Sequence, residues 1–112
     1  MNHGDLYGAD LPDRGGREQR GRRPVVIWQD TSQFRGPTVV VIPLTTKLDT
    51  LKFSGTALIR PSSANGLSAD SVAPVFQLGA CDVRRLSGRL GHLDDPDLAI
   101  LQDVAKRLQK LP

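Results

Sequence analysis

The sequence predicts a mostly β, α+β fold: one small antiparallel sheet or barrel with a single helix at the C-terminal end. Three observations carry this. β-branched residues run together at Val25-Val26-Ile27 and Val39-Val40-Val41-Ile42, the composition that suits a pleated strand. Near the end, Leu98, Leu101, Val104, Ala105, Leu108 and Leu111 recur every three to four positions, the period of a helix with one apolar stripe. Glycine and proline clusters punctuate the chain between these runs. The 112 residues fit a single domain over 1–112 and leave no room for a second core.

The elements follow in order. Residues 5–11 read as a first strand, with Gly8 marking a weak point or bulge. Residues 12–22 form a loop holding three glycines and no apolar residue after Pro12, and Arg23-Pro24 end it. Val25 to Trp28 is a strong strand, and proline suits its entry, where no ladder donor is needed. Residues 30–37 read as a turn. Residues 38–46 are the most strand-like segment. Their unbroken β-branched run predicts burial on both faces and hence a central strand, with Pro43 at a strand end, edge or bulge. Residues 56–60 and 71–78 are further strands, joined by a loop containing Pro61, Ser62, Ser63 and Asn65-Gly66. Residues 82–93 are ambiguous: Val83, Leu86, Leu90 and Leu93 have helical spacing, but Gly88 and Gly91 oppose a long helix. The last helix is capped by Asp94 or Asp95, has Pro96 in its first turn, and carries Lys106, Arg107 and Lys110 near its C-terminus, where the helix dipole favours cations.

Several function classes are excluded or disfavoured. No apolar run approaches the ~20 residues that span a bilayer. The N-terminus lacks a basic segment followed by an apolar one, so no secretory signal is expected and the expected location is cytoplasmic. One cysteine, Cys81, can form neither an internal disulfide nor a zinc site alone, and reads as an inert buried thiol. His3 and His92 are the only histidines, and an acid/base pair of them would need the fold to bring them together. No phosphate-binding Gly-Lys-Ser/Thr loop, Gly-x-Ser-x-Gly elbow or His-Glu-x-x-His pair is present. No metal or cofactor is therefore expected.

Charge is concentrated. Residues 13–23 hold Arg14, Arg17, Arg20, Arg22 and Arg23 against Asp13 and Glu18, which is the whole of the net +3. The other ten basic and ten acidic residues cancel. Such a patch favours an anionic partner, phosphate above all, although a solvated basic loop has the same composition.

The patch is ordered as Gly16-Arg17-Glu18-Gln19-Arg20-Gly21-Arg22-Arg23-Pro24, followed by a β-branched strand and then Val41-Ile42-Pro43-Leu44-Thr45-Thr46. These segments resemble the MazF/PemK family of toxin endoribonucleases, whose pattern is Gly-x-Glu-Gln-x-Gly-x-Arg-Pro before a valine-rich strand and Pro-x-Thr at the end of the next. Gly4-Asp5 with Ala9-Asp10-Leu11-Pro12, Gly66-Leu67 with Asp70-Ser71-Val72, and Arg85-Leu86 with Gly91-His92-Leu93 extend the likeness along essentially the whole chain. The resemblance implies an SH3-like antiparallel β barrel of the CcdB/PemK type with a C-terminal α-helix, a homodimer, and residues 82–93 as a short helical turn and a last strand. It further implies a metal-independent, sequence-specific endoribonuclease that cuts single-stranded mRNA, neutralised by an antitoxin whose acidic segment covers the RNA groove. The alternative is a non-catalytic toxin of the same fold that binds and poisons DNA gyrase.

The resemblance makes Arg23 and Thr45 the catalytic pair. A guanidinium matches phosphate geometry and stays protonated, so Arg23 suits charge stabilisation or proton donation better than a base role. Glu18 is a candidate base, or else a carboxylate that orders the loop. Gln19, Thr46 and Gln77 are candidate base readers. Arg17, Arg20 and Arg22 are candidate phosphate contacts. Trp28 suits core packing, whereas Phe34 and Phe53 lie nearer turns and are better placed for stacking. The chain departs from many family members at His3, where they carry arginine, and at Phe76, where they carry an acid.

Overall fold

The computed structural model describes residues 1–12 and 21–110. Seven strands and one long helix run in the order β1 (Asp5–Leu11), β2 (Gly21–Ile27), β3 (Thr38–Pro43), β4 (Thr56–Ile59), β5 (Ser71–Pro74), β6 (Gly79–Asp82), β7 (Leu86–His92) and α1 (Asp95–Leu108). Short 3₁₀ turns cover 48–52, 75–77 and 83–85. All strand pairs are antiparallel. A five-stranded sheet has the order β6-β3-β2-β1-β7, and β4 pairs with β5 in a second sheet. The two meet where Thr45 and Val72 exchange both backbone hydrogen bonds, at 3.0 and 2.7 Å. The ladder does not close into one continuous barrel, and the mostly β, antiparallel arrangement with one C-terminal helix is the fold expected from the sequence.

Alternation along β2 and β3 splits the core. Val26, Ile42 and Leu44 join Leu6, Leu101 and Val104 in one cluster, beneath α1 and the small sheet. Val25, Ile27, Val39 and Val41 point the other way, to Ala9 and Cys81. The run Val39 to Ile42 is thus buried on both faces and sits in a central strand, as its composition requires. A β-bulge falls between Gly8 and Ala9 in the pairing of β1 with β7.

Several boundaries differ from the sequence reading, β3 among them, which ends at Pro43 and does not run on to residue 46. β2 begins at Gly21, inside the segment read as loop, because Gly21, Arg22 and Arg23 pair with Leu11, Asp10 and Ala9. β5 stops at Pro74, and residues 75–77 turn instead of continuing the strand. β6 was not expected: Gly79-Ala80-Cys81-Asp82 has no β-branched residue, and its form comes from pairing with β3. His92 ends β7, the last strand that the resemblance placed within residues 82–93. In α1, Asp94 stands at the N-cap without a side-chain capping bond, and Pro96 falls in the first turn as expected. Its apolar stripe buries Leu101, Val104 and Ala105, but Leu108 stays 46% exposed. Leu111 lies outside the described residues.

The loop before β5 is held by the buried Asn65. Its side-chain oxygen accepts from the amides of Ser62 and Leu67 at 3.0 and 2.9 Å, and its amide donates to the Arg60 carbonyl at 2.9 Å. This loop lies flush on β7. A Cβ on Gly91 would sit 2.2 Å from the Ala64 carbonyl oxygen, and one on Gly66, whose φ is +70°, would sit 2.2 Å from that of Leu90. Both approaches require glycine.

Candidate active site

Arg23 and Thr45 come together at the end of the β2–β3 pair. Val25 pairs with Pro43, and the ladder continues past that proline as the Leu44 amide donates to the Pro24 carbonyl at 2.9 Å. This brings the residues before Pro24 alongside those after Pro43. Arg22, Arg23, Thr45, Thr46 and Ser71 line a shallow depression of about 160 Å³, floored by Pro24 and Leu44.

Each side chain is positioned differently. Nη1 of Arg23 donates to the Leu44 carbonyl at 3.3 Å, which ties the half-buried guanidinium to the segment that carries Thr45. Thr45 is 4% exposed, and its Oγ1 accepts the Lys47 amide proton at 3.2 Å. That bond occupies an oxygen lone pair and leaves the hydroxyl proton to be donated. Thr46 and Arg22 are exposed at the rim. Ser71, which the sequence reading did not single out, is buried and donates its hydroxyl to the Ala69 carbonyl at 3.1 Å. Its position opposite Ile59 at the start of β5 is a tertiary fact without a local signal.

Gln77 is not in this depression. It lines a larger one of about 410 Å³ with Pro43, Cys81 and Arg85, and the chain passes from one depression to the other between Pro43 and Leu44. Arg17, Glu18, Gln19 and Arg20 lie outside the described residues. Among the described residues, no group of three or more His, Cys, Asp or Glu could hold a metal ion.

The histidines have other partners. Nδ1 of His3 donates to the Trp28 carbonyl at 2.7 Å, and its ring lies 4.5 Å from that of Trp28, so the N-terminal segment is held in place. Trp28 packs against the first core cluster, as its strand position predicts. Nδ1 of His92 lies 2.8 Å from Oδ1 of the buried Asp5, whose carboxylate also accepts from the Asn2 amide at 2.9 Å and from Arg89 at 3.4 Å. Burial pushes the Asp5 carboxyl up, but the bonds from His92, Asn2 and Arg89 outweigh it and hold it below the usual carboxylate range. Elsewhere, hydrogen bonds from Arg84 lower the partly buried Asp82 to about 2. Burial, with Asp94 nearby, raises Asp97.

Residues 2–111 match the family of PemK-like, MazF-like toxins of type II toxin–antitoxin systems. The chain is 40% identical over 96 residues to an endoribonuclease MazF of Staphylococcus saprophyticus, covering 85% of this chain and 79% of that protein. Among solved structures it is similar to MazF from Deinococcus radiodurans, with a TM-score of 0.80 at 18% identity over 99% of this chain and 97% of the other. It is also similar to a mycobacterial endoribonuclease in complex with its cognate antitoxin, with a TM-score of 0.73 at 18% identity over 100% and 97%. At these identities the structural likeness speaks for the fold.

Proposed function

This chain is an endoribonuclease of the PemK-like, MazF-like toxins of type II toxin–antitoxin systems, and we propose that it cuts single-stranded mRNA at a short sequence without a metal ion. The observation that carries the reading is the convergence of Arg23 and Thr45, from the ends of two neighbouring strands, on one depression.

RNA contains its own nucleophile. In the proposed reaction the 2′-hydroxyl attacks the adjacent phosphorus, the new O2′–P bond forms, and the P–O5′ bond breaks. The products are a 2′,3′-cyclic phosphate and a 5′-hydroxyl. A base takes the 2′ proton, an acid supplies one to O5′, and donors stabilise the charge that builds on the phosphoryl oxygens. Arg23 fulfils the last task, since its fork of donors matches two phosphate oxygens at once. The Thr45 hydroxyl, already accepting from Lys47, donates to a phosphate oxygen and orients it. Arg22 and Thr46 at the rim contact the neighbouring phosphate and base. Glu18 is the proposed base, Gln19 and Gln77 read bases, and Arg17 and Arg20 hold backbone phosphates. An antitoxin with an acidic segment covers the same groove, and the working form is a cytoplasmic homodimer. Among the described residues no helix is long and apolar enough to cross a membrane.

The test is a digest of a long RNA in the presence of chelator, with the new 5′ ends mapped. Cuts at one short motif that leave 5′-hydroxyls are expected from the wild type and absent with Arg23→Ala. Dependence on added divalent metal, or wild-type cutting by folded Arg23→Ala, overturns the mechanism.

A further inference from the structure

Phe53 and Phe76 form an aromatic pair that stays open to solvent, 49% and 41% exposed. Their ring centroids are 6.4 Å apart and the planes cross at 76°. The Lys52 ammonium lies 5.2 Å from the centre of the Phe53 ring. Rings of this size are worth most when buried, so two left in water beside a cation mark a surface with something to hold.

The pair lies on the two segments that lead away from the Arg23–Thr45 depression. The 3₁₀ turn ending at Lys52 follows directly on Thr45, Thr46 and Lys47, and the Lys47 amide is the group bound to Thr45 Oγ1. Phe76 follows β5, which begins at Ser71 of the depression and carries Val72, the backbone partner of Thr45. The Val75 amide donates to the Gly55 carbonyl at 2.9 Å and fastens the two arms to each other. From Val72 to Phe76 the chain makes two strand steps and two 3₁₀ steps, a reach on the order of 10 Å.

We infer that Phe53 and Phe76, with Lys52 beside them, form a stacking subsite for an unpaired base of the RNA strand whose scissile phosphate lies at Arg23. The inference rests on the endoribonuclease reading and extends it along the strand. A π face accepts any base, and the adjacent Lys52 ammonium meets a neighbouring phosphate, the combination that holds single strands without reading their sequence. Two rings nearly at right angles support a base on one face and close its edge with the other. A carboxylate at position 76 would repel the same phosphates, and a phenyl ring does not.

The test uses the wild type to locate the cut. A labelled oligoribonucleotide is then made with a single 2′-deoxy substitution at the cleaved linkage, and binding to it is measured. Phe53→Ala and Phe76→Ala are each expected to weaken binding about tenfold, and Phe53→Trp and Phe76→Trp to restore it, with thermal melts showing that all four fold. In a scan of abasic positions, one flanking position is expected to cost the wild type the same factor and to cost Phe53→Ala nothing further. If the wild type cuts and the alanine variants bind as it does, or if every abasic position costs both proteins equally, the subsite is overturned while the nuclease reading stands. If the alanine variants lose only an acidic peptide ligand and keep RNA, the surface docks protein and the inference is wrong. If the wild type cuts no RNA, both fall.

Discussion

Two polar constellations in this molecule use similar residues to opposite ends. At Asp5, a buried carboxylate is surrounded by donors from His92, Arg89 and the Asn2 amide, and its bonding capacity is turned inward. At the β2–β3 end, Arg23 and Thr45 bond to neighbouring backbone, and both border a depression. Histidine beside aspartate is the pairing that invites a catalytic reading. Here it joins the first strand to the last and serves the fold, while an arginine and a threonine face the open site. Residue type alone does not separate a candidate site from scaffolding; the surroundings of the polar groups do.

The sharpest way to break this comparison is to replace Arg23. Arg23→Ala is expected to lower the cleavage rate by about 10³-fold or more, with Arg23→Lys recovering only part of it because a point charge lacks the bidentate fork. Near-normal rates in either folded variant would place the chemistry elsewhere. Thr45→Val should cost about 10–100-fold in single-turnover rate, and Thr45→Ser should retain most activity, since the serine keeps the hydroxyl. Equal rates for the valine and serine variants would remove the hydroxyl from the mechanism.

On the structural side, Gly91→Ala drives a methyl into the Ala64 carbonyl and is expected to cost about 1–3 kcal/mol, read as a Tm lowered by several degrees. Cleavage per folded molecule should be unchanged. The smallest effect is the most diagnostic. The folded-state pKa of Asp5 is lowered, so its contribution is complete above the unfolded carboxylate range near 4 and is lost as pH falls through the folded value. Asp5→Asn should therefore be less stable than wild type by on the order of 1–2 kcal/mol at pH 7. The gap should narrow steadily below pH 4. A gap that does not change between pH 7 and pH 2 would show that the carboxylate charge is irrelevant to the fold.

Much of the architecture was legible because it is local. β1, the strand after Pro24, the β-branched core of β3 and the helix begun by Asp94 to Pro96 each announce themselves through composition or period. β6 did not, since Gly79-Ala80-Cys81-Asp82 is a strand only by virtue of β3 beside it. The early start of β2 has the same origin, pairing with β1 across the basic segment. Within the site, Arg23 and Thr45 were marked by an ordered motif, and Thr46 and Arg22 by adjacency. Ser71 was marked only as part of the Asp70-Ser71-Val72 likeness and not as a site residue, because its place at the depression comes from tertiary pairing. Asp5 and His92 are 87 residues apart, and only the β1–β7 register joins them. Residues 13–20, which carry Glu18 and Gln19, lie outside what the structure describes.

The bridge between Thr45 and Val72 gives the site a gauge of its own occupancy. Those two residues exchange both backbone hydrogen bonds where the sheets meet, and one of them also lines the depression. Opening the bridge displaces a wall of the site, so a strand bound there holds the bridge shut. In deuterium-exchange terms, the amides of Thr45 and Val72 should slow together on saturation with uncleavable RNA, by the same factor that binding raises the free energy of opening.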